Sequence, residues 1–264
     1  MLQMPMAMSI GVPIERTLAA WMIAGSRVSG LLVVAPFLGS AAVPARIKIG
    51  LAFLLTLFLV PLVPAPAAEV SAPALAVLLL GEFAIGSLLG FTLQLIFEAG
   101  QIAGQVCGVQ MGFALASVIN PDSQADSAVL STFYELIVLL LFLQLSVPHW
   151  LLRGLARSFD YLPPGHFSLA WPAVSAVFEF AAGMFVAGVQ IAAPVLVASL
   201  FADVALGFIG KASPQLPVLF VGISIKNLLG LALMCGAIAF WPRFFDARFG
   251  RALDASERIL KLAH

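Results

Sequence analysis

Seven ionisable side chains stand where the surrounding sequence offers them no water. Arg27, Glu82, Glu98, Glu135, Glu179, Asp203 and Lys226 each lie inside a long apolar run. A charge facing lipid costs several kcal/mol, so each is expected to face protein or a wet cavity. There it either pairs with a neighbour or serves an ion or proton pathway. Beside Glu98 runs a stripe of amides, Gln94, Gln101 and Gln105, on one helical face. That stripe can bond a neighbouring helix or line water.

Glycine is the second unusual feature. Gly100, Gly104, Gly108 and Gly112 recur at every fourth position of the uncharged run Ala99–Pro121. Glycine weakens a helix by about 1 kcal/mol against alanine, so the repeat needs a reason. Residues four apart share a helix face, and small residues there let another backbone approach closely. Gly100, Gly104 and Gly108 are therefore expected to form a packing groove, either within the chain or against a partner. Gly112 extends that register, and Gly86 and Gly90 begin a similar groove upstream. Downstream, Met111, Phe113 and Leu115 precede Asn120-Pro121, where the pre-proline restriction should end the helix. An apolar segment at a helix break can close a pore by dewetting, and it can equally be a packed re-entrant loop.

Catalytic chemistry finds no purchase. There is no G-x-x-x-x-G-K-[ST] and no G-x-S-x-G. His149, His166 and His264 stand apart, and Cys107 and Cys235 lie in apolar runs, which suits neither a disulfide framework nor a metal site. The sequence predicts no enzyme, metal or cofactor.

The elements carrying these residues are hydrophobic throughout. At 62% hydrophobic and 10% charged residues, the chain has too little polar surface for water, where about 25% charge is usual. Its formal net charge is zero, which gives nucleic acid no electrostatic handle. The fold class expected is all-α, a single membrane-associated domain over 1–264. Its helices are expected at about 16–37, 46–63, 74–109, 128–147, 173–210 and 217–240, followed by an amphipathic tail over 243–264. The N-terminus lacks a basic region ahead of its apolar stretch, so the membrane signal is distributed along the chain. Cytoplasmic loops should hold the Lys and Arg. Arg46 and Lys48 follow the first run, Arg153 and Arg157 the fourth, and the basic tail the sixth. Six simple crossings put the first group opposite the others, so a plain up-and-down bundle does not fit.

Several stretches together resemble the FliR/SctT family of type III secretion export-apparatus proteins, over nearly the whole chain. They are RVSGLLVVAP (Arg27–Pro36) with VPARIKIG (Val43–Gly50), GEFAIGSLLGF (Gly81–Phe91), GQVCGVQMGFALASVINP (Gly104–Pro121), LPPG (Leu162–Gly165), and Ala193-Pro194 leading into ASPQLPVLFVGISIKNLLG (Ala212–Gly230). The G-x-Q-M-G…P and P-Q-L-x-V-x-x-x-G patterns are the most specific. Two positions depart from the family: Pro217 replaces a small polar residue, and Asn120 replaces the commoner Asp. The resemblance implies a helical ring subunit, like a FliP-like part fused to a FliQ-like part. It implies assembly with FliP-like, FliQ-like and FlhB-like proteins in the bacterial inner membrane, at the flagellar basal body, and passage of unfolded protein substrates. It further implies a pore plug at Gln110, Met111, Gly112, Phe113, Ala114 and Leu115, with Met111 and Phe113 as the sealing side chains. The injectisome counterpart, of SctT type, is an alternative within the family. Outside it, midplane charges such as Glu135 and Lys226 would suit an ion-coupled secondary transporter, although no transporter-type repeat is visible.

Overall fold

A computed structural model describes residues 14–36, 38–40, 43–63, 71–113, 128–168, 170–213, 215 and 217–263. Ala114, Leu115 and Asn120-Pro121 lie outside them. The described residues form eight α-helices and a single 3-10 turn, with no strand. They are α1 (Ile14–Val34), α2 (Ala45–Leu59, continued by the 3-10 turn Val60–Leu62), α3 (Ala72–Gln110), α4 (Ala128–Gln144), α5 (Val147–Tyr161), α6 (Trp171–Ala212), α7 (Val218–Ile238) and α8 (Trp241–Leu262).

Two kinds of helix are present. In α1, α2, α3, α6 and α7 the length and apolar composition suit membrane spans, and α4 with α5 makes a pair bent by 68°. At 1.5 Å per residue, the 39 residues of α3 and 42 of α6 run about 60 Å, twice the thickness of a hydrocarbon core. Pro194 lies inside α6 without ending it. By contrast α5 and α8 are amphipathic. Leu151, Leu155, Phe159 and Leu162 are buried while Arg153, Arg157 and Asp160 are exposed, the period of a one-faced helix. In α8, Trp241, Phe245, Phe249, Ala252 and Ile259 are buried, and Arg243, Asp246, Arg251, Asp254 and Arg258 are exposed. Sequence reading expected α8 and missed α5, whose arginines read as loop charges.

The chain folds as two compact units. The first takes residues 1–91, 152–174 and 256–264. Here α1 lies against α2 and the first half of α3, around Ala20, Ile23, Ala24, Val63 and Phe159. Helices α1 and α3 meet backbone to backbone: a Cβ on Gly30 would strike the Phe83 carbonyl, and one on Gly86 the Arg27 carbonyl. The end of α8 is tied in where the Ser168 N–H donates to the Ala263 carbonyl (2.9 Å).

The second unit takes residues 92–151 and 175–255. Aromatic rings join its helices. Phe97 of α3 meets Phe142 of α4 edge-on, Phe142 meets Phe249 of α8, and Tyr134 of α4 lies 5.0 Å from Trp241 of α8. Each such pair adds about 0.5–1.5 kcal/mol beyond burial. On α6, Gly188 sits where a Cβ would lie 2.8 Å from the Ala99 carbonyl oxygen of α3. Much of the chain's outer face remains apolar, including Phe53, Phe58, Phe201, Phe208 and Leu228, as a surface meeting lipid or protein requires.

Candidate functional site: a glycine-ended helix seated on α7

Helix α3 ends in a defined stop. The Gly112 N–H donates to the Val109 carbonyl (3.1 Å) and the Phe113 N–H to the Gly108 carbonyl (3.0 Å). Gly112 has φ +88°. This pair of bonds around a left-handed residue is the Schellman motif, and glycine takes that conformation without a Cβ penalty. The sequence register placed Gly112 in the helical groove. The structure instead makes it the helix stop, because φ > 0 cannot continue a right-handed helix.

The turn leans on α7. Met111 is fully buried, at 0% exposure. Its thioether lies across Gly230, where an added Cβ would come within 2.6 Å of Sδ and 2.7 Å of Cγ. One residue on, a Cβ at Gly112 would meet Ile223 at 3.3 Å. Ile223, Asn227 and Gly230 are spaced four and three apart, hence on one face of α7. Asn227 Oδ1 on that face is buried and has no hydrogen-bond partner among the described residues. Gln110 and Phe113 are half-buried.

The groove expected on α3 is occupied by α4. A Cβ on Gly104 would sit 2.6 Å from Ser131 Cα, and one on Gly100 would sit 2.7 Å from Val138 Cγ2. Gly108 is buried as well. At Gly100 and Gly104 the groove therefore packs within the chain and is not open to a partner. Below it the buried Cys107 Sγ lies 3.5 Å from the Tyr134 hydroxyl. In the stripe, Gln94 Nε2 donates to Glu98 Oε1 (2.7 Å).

The charges sort into three environments. Arg27 and Glu82 are buried at 0% exposure. Arg27 Nε donates to Glu82 Oε2 (2.7 Å), Nη1 to Ser158 Oγ (2.9 Å) and Nη2 to the Leu162 carbonyl (3.0 Å). Its guanidinium carbon lies 4.0 Å from the Phe159 ring centroid. Glu82 Oε1 has no hydrogen-bond partner among the described residues. Glu82 also lines an open cleft of about 500 Å³ with Gly81, Gly165 and Phe167. Glu98 and Lys226 are half-buried. Glu135, Glu179 and Asp203, read from sequence as interior charges, are exposed on this chain's surface. Lys226 pairs with Asp203. Among the described residues no group of three or more His, Cys, Asp or Glu is placed to hold a metal.

Comparison with known proteins gives this arrangement its class. Residues 18–252 match the model of a family described as bacterial export proteins, family 1. The chain belongs to that family. Flagellar biosynthetic protein FliR of Escherichia coli strain K12 is 32% identical, covering 89% of this chain and 90% of that one. FliR of Bacillus subtilis strain 168 is 30% identical over 84% and 87% of the two chains, and FliR of Caulobacter vibrioides is 28% identical over 87% and 92%.

Proposed function

We propose that this chain is a non-enzymatic core subunit of the flagellar type III protein export gate. In the bacterial inner membrane it assembles with FliP-like, FliQ-like and FlhB-like subunits into the channel that unfolded flagellar substrates cross. The family match over 18–252 carries the reading, and the flagellar names of the relatives favour flagellar over injectisome service. Residues Gln110 to Leu115 act as the plug. Support comes from the apolar Met111 and Phe113, which flank the Gly112 helix stop. The gate does no bond chemistry, so energy for transport comes from partner proteins or the proton gradient.

The test replaces Met111 and Phe113 together by Ala in cells expressing the whole gate. The expected result is an assembled complex, recovered with its partners in mild detergent, and a raised ion leak across the inner membrane. An assembled double variant that stays tight and exports normally would remove the plug assignment.

A further inference from the structure

We propose that Gly230 of α7 is the seat of the plug: a notch that holds Met111 in the closed channel and from which Met111 must lift before substrate passes. The inference rests on the plug reading above. Its own support is the fit. Three consecutive side-chain atoms of Met111 lie across Gly230, each within 3 Å of where a Cβ would stand. Any other residue at 230 therefore displaces the methionine. The backbone of the turn is free of that penalty, because the clash is with the far end of a flexible side chain. Met111 thus fastens the turn, which leaves the half-exposed Phe113 as the side chain available to the lumen.

The seat is built to be left as well as held. Among the described residues it carries no hydrogen bond between side chains of the turn and of α7, and the contacts there are those of Met111 with Gly230 and of Gly112 with Ile223. Asn227 lies on the same face of α7, between Ile223 and Gly230, with its buried Oδ1 unpartnered among the described residues. A buried acceptor without a donor costs free energy. Water entering as the turn lifts returns that cost and favours the open state. Asn227 is a positioning residue here: it tunes how readily the seat opens without touching substrate.

The experiment uses the full gate in membranes, with complex recovery, ion leak and export each measured. Gly230→Val is expected to assemble and to leak about as much as Met111→Ala. Gly230→Ala is expected to leak less, and it stands in if the valine variant fails to assemble. The exchange Met111→Gly with Gly230→Met moves the side chain to the other wall of the contact and is expected to be tight, although Met111→Gly alone leaks. Asn227→Leu is expected to stay tight and to export more slowly. If Met111→Ala leaks while both Gly230 variants assemble and stay tight, the seat is wrong and the plug survives. An exchange variant that leaks like Met111→Gly has the same meaning. If Met111 and Phe113 can be replaced without leak, the plug reading fails and the seat falls with it.

Discussion

The Arg27–Glu82 knot and the Met111–Gly230 seat are both fully buried, and they hold by opposite means. The knot is ionic. One guanidinium joins Glu82 of α3, Ser158 of α5 and the Leu162 carbonyl, with Phe159 on its face. Removing any member leaves a charge or a polar group stranded, so the knot fastens three chain segments permanently. The seat is a thioether against a glycine. Nothing in it becomes unsatisfied when the surfaces part, so it can open and reclose. A contact held by charge and one held by shape alone break in different ways.

The strongest way to break the frame is Arg27→Ala. It leaves Glu82 buried and unpaired, which should cost about 3–5 kcal/mol and abolish recovery of folded complex. The contrast sharpens with Arg27→Met combined with Glu82→Leu, which removes both charges. That double variant should recover much of the lost melting temperature in detergent. If it is no better than Arg27→Ala, the pair matters for more than its own neutrality.

Gly104→Leu tests packing next to the seat. The new side chain must displace the α4 backbone at Ser131. Overpacking costs about 1–3 kcal/mol, and more where backbone has to yield, so co-purification with partner subunits should fall sharply. Unchanged recovery would mean that α3 and α4 part easily. Gly112→Ala is milder. A non-glycine residue at φ +88° costs about 1–3 kcal/mol. Because the strain is confined to the turn, leak should rise while assembly persists.

The smallest effect belongs to the surface of α8, where Lys261 Nζ donates to Glu257 Oε1 (2.7 Å). That bond holds the Glu257 carboxyl below the usual carboxylate range and pushes the Lys261 ammonium up. The Glu257 contribution is present above the ordinary carboxylate pKa and is lost as pH falls through its lowered value. The Lys261 contribution is present below the ordinary lysine pKa and is lost only as pH rises through its raised value. Near neutrality both operate. Glu257→Gln should therefore change detergent melting slightly at neutral pH and not at all in acid. An equal effect at both pH values would place its cause elsewhere than the pair.

Much of this architecture was legible in the sequence. Apolar runs fixed the membrane helices to within a few residues, because run length and a hydrocarbon slab constrain one another. The amphipathic α5 is harder to see in the sequence although Leu151, Leu155 and Phe159 carry its period, since Arg153 and Arg157 also suit a charged loop between membrane helices. Gly112 was assigned to the groove by spacing alone. Only its φ distinguishes a helix stop from a packing position. Which charges meet was beyond reach: Arg27 and Glu82 lie 55 residues apart, and seven candidate charges allow many pairings. The exposure of Glu135 and Asp203 follows from how helices turn about their axes, which uniformly apolar runs do not specify. Gly230 gave no signal of its own, because a seat exists only relative to the side chain resting in it.

The helix stop at Gly112 also makes chain length a quantity the protein must conserve locally. Between Gly104, docked on α4, and Met111, resting on α7, the chain is continuous helix to Gln110. Deleting one residue there would swing the methionine by about 100° and draw it back about 1.5 Å, with no slack to absorb the error. Substitutions in those two turns can be gradual in their effect, but insertions and deletions cannot.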